Sequence, residues 1–302
     1  CYRHLQQRNQ SAESVSWRTV VVSSSAKLDC QMGYLVVRKD TTTKIHMGEI
    51  RTLMIESTAV SLTAALLSEL VKKKIKVIFC DEKRNPSSEL MPYYGSHDCS
   101  LKLKRQIAWS DDLKCSVWTE IVCEKIRQQK IFLEELEKLE AGLLQSYIEE
   151  MEYGDSTNRE GHAAKVYFNA LFGKDFTRTD DLLTNAALNY GYSILLSAFN
   201  REIVLNGYLT QLGMFHDNMF NPFNLASDLM EPFRPLVDRV VLGMHLIEFT
   251  HVEKMELVNI LNQEVWINER SELVSNAIKI YCKSIFDALE DGDISLIRFY
   301  RK

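Results

Sequence analysis

Paired cysteines, long apolar runs and nucleotide loops are all missing from this 302-residue sequence. Its seven cysteines (1, 30, 80, 99, 115, 123 and 282) are odd in number and scattered, with no Cys-x-x-Cys pair. That pattern disfavours a disulfide framework and structural zinc, and points to reduced, mostly buried thiols. Cys80, His97 and Cys99 lack a fourth ligand at suitable spacing. No stretch approaches the roughly 18 uninterrupted apolar residues of a membrane span, and the first residues lack the apolar core of a secretion signal. A soluble, cytoplasmic protein with no membrane partner is therefore expected. There is no Gly-x-x-x-x-Gly-Lys-[Ser/Thr] loop, so nothing marks nucleotide hydrolysis. Internal repeats, low-complexity tracts and heptad arrays are absent as well.

An excess of positive charge is also lacking. The formal net charge is −5 and the pI near 5.9, which by itself argues against nucleic acid as a partner. The distribution carries more information than the sum. Residues 1 to 107 hold 17 basic and 10 acidic side chains, and the remainder holds 19 and 31. A basic first part and an acidic second part fit contact with DNA through selected basic strips, assembled across subunits or with a partner, rather than through one basic face.

With 46% apolar residues and 34.9 kDa the chain can bury two cores. Residues 1 to 16 are polar, aperiodic and do not begin with Met, and they are expected to be a disordered extension. From Trp17 the pattern is strand-like, with Val20-Val21-Val22, Tyr34-Leu35-Val36-Val37, Lys44-Ile45-His46 and Leu53-Met54-Ile55 between Ser-, Gly- and Thr-rich turns. One helix interrupts it, capped by Ser57 or Thr58 and running through Leu62, Leu66, Leu70 and Val71. The Lys72 to Lys76 run reads as its solvated, dipole-complementing end, with DNA contact as the lesser reading, and it leads into a buried strand at Val77-Ile78-Phe79-Cys80. Beyond Pro92-Tyr93-Tyr94-Gly95 strand signals give way to helical spacing near 100–131, 134–152, 158–172, 180–206, 226–247, 253–264 and 270–288. The expected fold is α+β, with a small β-rich N-terminal domain (17–99) followed by a larger all-α domain (100–302).

Three segments of the second part carry chemistry. Ser156, Thr157 or Asn158 can cap a helix, placing Glu160 in its first turn beside an N-terminus that favours an anion such as phosphate; the plainer alternative is a glutamate that merely complements the dipole. His216 lies in Phe215-His216-Asp217-Asn218, either as an ordinary satisfied histidine or as a metal ligand whose second nitrogen is held by an acceptor. Asp228 and Glu231 are three apart and expected on one helical face. Pro232 and Pro235 should loosen the helix there and free the carbonyls of Asp228 and Glu231, unless the prolines simply mark a helix start capped by the acids. Two carboxylates and an imidazole suit a divalent cation such as Mg or Mn, and Arg234, one turn beyond Glu231, can face a phosphate.

The stretches WRTVVV (17–22), VIFCDEKRNPSSELMPYYGSHD (77–98), NREGHAAKVYFNALFG (158–173), NAALNYGYSILL (185–196) and FNLASDLMEPFRPLVDRVV (223–241) resemble the type II CRISPR-associated integrase and endonuclease family, the first of the Cas proteins (Cas-one). Five motifs in the family's order cover most of the chain from Trp17 onward. The resemblance implies a metal-dependent DNA nuclease and integrase that inserts short foreign DNA into a CRISPR array by 3′-hydroxyl transesterification. It implies Glu160, His216 and Glu231 as metal ligands and catalytic residues, with Asp228 as supporting acid and Arg234 as phosphate contact. Tyr190 is either an aromatic that approaches the reacting strand or a buried helix residue. Two joining reactions need two sites, so a homodimer is expected. The family further implies double-stranded DNA, a small Cas-two partner, and in type II systems an effector nuclease and a ring-forming accessory protein. A branched-DNA nuclease that never integrates and a non-catalytic DNA-binding scaffold are the competing readings.

Overall fold

Short runs of alternating β-branched residues between Arg18 and Leu90 form two small sheets that share one apolar core. A computed structural model describes residues 18–93 and 95–302; the expected extension at 1–16, Trp17 and Tyr94 lie outside the described residues. The chain divides into two compact units between Leu90 and Met91. The sequence reading put the boundary at 99, just beyond Pro92-Tyr93-Tyr94-Gly95, where the strand signals end.

In the first unit, β1 (Arg18–Val22), β5 (Ile50–Ile55), β7 (Lys76–Cys80) and β8 (Pro86–Leu90) form one sheet in that order, parallel except for β8. The second sheet has the order β4 (Thr42–His46), β3 (Tyr34–Arg38), β2 (Ala26–Gln31) and β6 (Val60–Leu62). Val22, Leu28, Leu35, Leu53, Leu66, Leu70 and Val77 meet in the core. Helix α1 spans Ala64–Lys72 and is capped by Thr63, whose hydroxyl accepts from the Leu66 N–H at 3.2 Å. The cap expected at Ser57 or Thr58 is thus wrong: Val60–Leu62 pairs with β2 before the helix starts, and a strand's ladder bonds outweigh an early cap. Lys76 also departs from the expected solvated run. It is the first residue of β7, its side chain is buried, and it pairs with Glu89 at 2.5 Å.

The second unit is built on two long helices, α3 (Asp111–Glu135) and α6 (Leu183–Leu205). Around them lie α2 (Cys99–Ala108), α4 (Ala141–Glu149), α5 (Arg159–Phe172), α7 (Asn224–Leu229), α8 (Arg234–Met244), α9 (His251–Val258) and α10 (Val274–Asp291). The expected helix at 100–131 is two helices, because Ser110 caps a new start by accepting from Leu113 N–H. The β-then-helix order is as expected, but the second unit is mostly rather than wholly helical. Glu264–Ile267 (β9) and Arg270–Leu273 (β10) form an antiparallel hairpin at the junction of the expected helices 253–264 and 270–288, inside the domain expected to be all-α. Asn268 and Glu269 both take positive φ (52° and 62°), the geometry of a tight two-residue hairpin turn, and burial alternates along Glu264–Ile267 as a strand requires.

Thr63→Ala should lower stability by about 1 kcal/mol, the usual cost of a lost N-cap, while Thr58→Ala should change it by less than about 0.5 kcal/mol. Urea denaturation of the two full-length variants separates the two caps.

Candidate active site

Asn158 adopts a left-handed conformation (φ 54°) and ends the turn before α5, so Glu160 falls in the helix's first turn. The amide donors of that turn are already engaged. Asp155 accepts from Arg159 N–H at 2.6 Å and Glu160 N–H at 3.1 Å, and Asn158 accepts from Gly161 N–H at 3.3 Å. The expected anion site at this helix end is therefore filled by the protein's own side chains.

Glu231 begins a single tight turn (Glu231–Phe233) that separates α7 from α8. The break follows from Pro232 and Pro235, which have no N–H to donate. The Glu231 carbonyl is not free as expected, because the Arg234 N–H takes it in the shorter i to i+3 pattern; the Pro232 carbonyl accepts from Tyr300 Oη at 3.1 Å. Despite their three-residue spacing, the Asp228 and Glu231 side chains serve different partners.

Glu231 is directed to a cation on α3. The Lys125 ammonium lies 2.5 Å from Glu160 Oε1 and also contacts Glu231 Oε2. Arg234 Nε is 2.9 Å from Glu231 Oε1, and its guanidinium sits 4.7 Å from the Tyr192 ring centroid. Burial pushes the Glu231 carboxyl up, but Arg234 and Lys125 outweigh it and hold the group below the ordinary carboxylate value. For Lys125 burial disfavours the charge, and the two carboxylates overcome it and raise the ammonium above its ordinary value.

Asp228 does a different job. It is fully buried and gathers the loop before α7: Oδ2 accepts from Met214 N–H at 2.6 Å and Phe215 N–H at 3.2 Å, and Oδ1 accepts from His216 N–H at 3.0 Å. His216 Nδ1 is also 2.6 Å from Oδ1. A carboxylate only accepts, so Nδ1 carries the proton and Nε2 is left for a ligand. The hydrogen bond to Asp228 raises the His216 pKa above the ordinary imidazole value, against the opposing effect of burial. Gly213 permits this closure, because a Cβ there would lie 2.2 Å from the His216 carbonyl oxygen and 2.9 Å from Asp228 Oδ2. The loop rests on α3, with Phe215 stacked on Trp118 at 4.3 Å and His216 edge-on to the same indole at 5.8 Å.

Asp238 on α8 ties together the helices that carry the two glutamates. Tyr167 of α5 donates to its Oδ2 at 2.9 Å, and Tyr192 of α6 donates to Oδ1. Tyr190, by contrast, is 3% exposed, packs edge-on to Phe249 at 5.8 Å and has the Lys254 ammonium over its ring. Its buried-aromatic reading is the one that fits, and Tyr192 is the tyrosine of that run that meets Arg234.

The structure thus brings Glu160 and Glu231 to one cation and fixes His216 on Asp228 with one nitrogen spare. Among the described residues no group of three or more His, Cys, Asp or Glu side chains is arranged to hold a metal ion. Two carboxylate oxygens from separate helices nevertheless converge on a single ammonium, which marks a position suited to a cation, and the oxygen-rich donor set fits Mg or Mn. Sequence reasoning missed Lys125, Trp118, Tyr192 and Asp238. For Lys125 a signal existed: it falls on the stripe of Trp118, Ile121, Val122 and Phe132, where a charge is out of place on a core-facing helix.

Residues 19–271 match the family model described as CRISPR associated protein Cas1. The chain is 35% identical over 263 residues to the CRISPR-associated endonuclease Cas1 of Neisseria meningitidis serogroup C, covering 85% of this chain and 86% of that protein. Among solved structures it resembles a casposase bound to integration product, with a TM-score of 0.75 and 17% identity over 91% of both chains. It also resembles a chain of a Cas6-RT-Cas1–Cas2 complex, with a TM-score of 0.73 and 17% identity over 94% of this chain and 36% of that longer one.

Burial raises the Asp238 carboxyl to about 6, even though the two tyrosine donors pull the other way. The folded protein therefore keeps this proton after the unfolded chain has lost it, at about pH 4. The stability gained from the neutral carboxyl is complete below that pH and is lost as pH rises through about 6. Asp238→Asn should remove about 3 kcal/mol of this pH dependence, because each tenfold difference in proton affinity between folded and unfolded chains is worth about 1.4 kcal/mol. Guanidinium denaturation of both proteins at about pH 4 and about pH 7 measures it; parallel behaviour of the two would refute the assignment.

Proposed function

Because this chain belongs to the CRISPR-associated protein Cas1 family, we propose that it is a metal-dependent DNA endonuclease and integrase. It joins short foreign DNA to a CRISPR repeat by attack of the fragment's 3′ hydroxyls on repeat phosphodiesters. The observation that carries this reading is the convergence of Glu160 and Glu231, from separate segments, on one buried cation position, with His216, locked by Asp228, near enough to feel the charge of both carboxylates.

Glu160, Glu231 and His216 would hold a Mg or Mn ion. Bound there, the ion would supply charge neutralisation at the scissile phosphate and a lower pKa for the attacking hydroxyl. The protein's own residues do the rest. Asp228 keeps the His216 proton on Nδ1, so Nε2 is held as the unprotonated nitrogen of one tautomer. Arg234, held by Glu231 and the Tyr192 ring, supplies a fixed guanidinium for a phosphate oxygen. One phosphorus–oxygen bond forms to the incoming 3′ oxygen while the bond from that phosphorus to the 3′ oxygen of the neighbouring nucleotide in the target strand breaks. The attacking hydroxyl's proton ends on the leaving oxygen or in solvent, so no external energy source is needed.

We further infer a homodimer that works with a small Cas-two protein on double-stranded DNA. Two ends to be joined require two sites, and the resemblance to a chain from a Cas1–Cas2 assembly supports such a partner. The type II assignment, with its effector nuclease and ring-forming accessory protein, rests on the motifs between residues 17 and 241.

The test incubates the full chain, with and without the small partner, with a labelled duplex bearing 3′ hydroxyls and a supercoiled repeat plasmid, in Mn or in EDTA. Transfer of label to the plasmid in Mn alone is the expected result. Cleavage without transfer would point to a branched-DNA nuclease, and binding without either to a scaffold. Glu160→Ala, His216→Ala and Glu231→Ala should each reduce joining by at least about a thousand-fold, in the range of losing a dominant electrostatic contributor, with the far-UV circular dichroism spectrum kept. Full joining by any one of them would remove that residue from the site.

A further inference from the structure

Lys125 is a buried charge at this same place to which the proposed reaction gives no task. It lies in the middle of α3 on the core-facing stripe, and its side chain is only 8% exposed. A lysine that packs for its methylenes keeps its head in water. This one does the reverse, with its ammonium against two carboxylates. One ammonium thus serves an oxygen of each glutamate, and Arg234 Nε lies 2.9 Å from the other Glu231 oxygen. Carboxylate oxygens gathered on one cation position are also the donors a hard divalent ion takes.

Resting on the metal-site reading above, we propose that Lys125 is a resident counter-ion, whose ammonium occupies the cation position between Glu160 and Glu231 until the divalent metal displaces it from at least one of them. It is a positioning residue. In the metal-free protein it keeps buried Glu231 and half-buried Glu160 converged where an unpaired charge would be costly. Metal binding is then an exchange, and affinity reflects the difference between the dication's attraction to the carboxylates and the ammonium's. Without the ammonium the site is more negative, and the metal meets no competitor.

The test measures Mn affinity of the full chain from the electron paramagnetic resonance signal of free Mn, for wild type, Lys125→Met and Glu231→Gln. Lys125→Met should bind Mn about ten-fold more tightly or better, a gain of about 1.4 kcal/mol. Its melting temperature in EDTA should fall, and saturating Mn should raise it by more than Mn raises the wild type's. Equal or weaker Mn binding by a folded Lys125→Met protein would overturn the proposal. Should that variant fail to fold, the wild type decides alone: the 15Nζ resonance of Lys125, assigned through its side-chain carbons, should shift or vanish on saturation with Mg. An unchanged resonance in a Mg-bound protein overturns the proposal. Loss of the Mn site in Glu231→Gln supports the metal-site reading whatever Lys125 does, and absence of Mn binding to both wild type and Lys125→Met sinks that reading and the proposal together.

Discussion

Two carboxylates from different helices meet at one buried ammonium, and much of the second unit serves to make that meeting possible. Burial alone would protonate or separate such a pair, because each desolvated charge costs several kcal/mol until compensated. Lys125 on α3, with Arg234 on α8, supplies the compensation. The glutamates themselves are delivered by two breaks in the chain. The turn at Asp155–Asn158 starts α5 just before Glu160, and the Pro232 and Pro235 pair interrupts the helix at Glu231, which pairs with Lys125 and Arg234.

Around this centre, charge is spent on aiming side chains rather than on stabilising the fold. Asp228 holds three backbone N–H groups and one imidazole, which converts a loop lacking regular structure into a rigid mount for His216. Asp238 gathers Tyr167 and Tyr192 and so locks α5 to α6 and α8. Each buried acid is paired with donors from other elements, as a low-dielectric interior requires. A phosphoryl-transfer site benefits from such mounting, since positioning and electrostatics supply most of its rate.

The change from strand to helix along the chain was legible, because periods of two and of three to four are local properties of the residues. What escaped was every feature settled by competition between local preference and distant pairing. Ser57 and Thr58 are good caps, yet Val60–Leu62 pairs with β2 and moves the start of α1 to Thr63. The expected helices 253–264 and 270–288 overlap the two ends of Glu264–Leu273, yet Asn268 and Glu269 take positive φ and a hairpin forms there. Lys76 looked solvated within a lysine run, and only β8, a strand that gave no signal, reveals Glu89 as its partner.

For the site, residue types and motif order determined the family and named Glu160, His216, Asp228, Glu231 and Arg234, since chemistry of that kind is written in which side chains are present. Tertiary structure alone decided which of them share a partner. It gave Asp228 and Glu231 different partners, filled the α5 N-terminus with Asp155 and Asn158, put Tyr190 in the core and Tyr192 beneath Arg234, and inserted Lys125 between the glutamates. The physical reason is that a side chain's role in a buried site is set by charges that reach it through space: the apolar stripe of α3 marks Lys125 as out of place, but nothing beside it in the chain names partners 35 and 106 positions away.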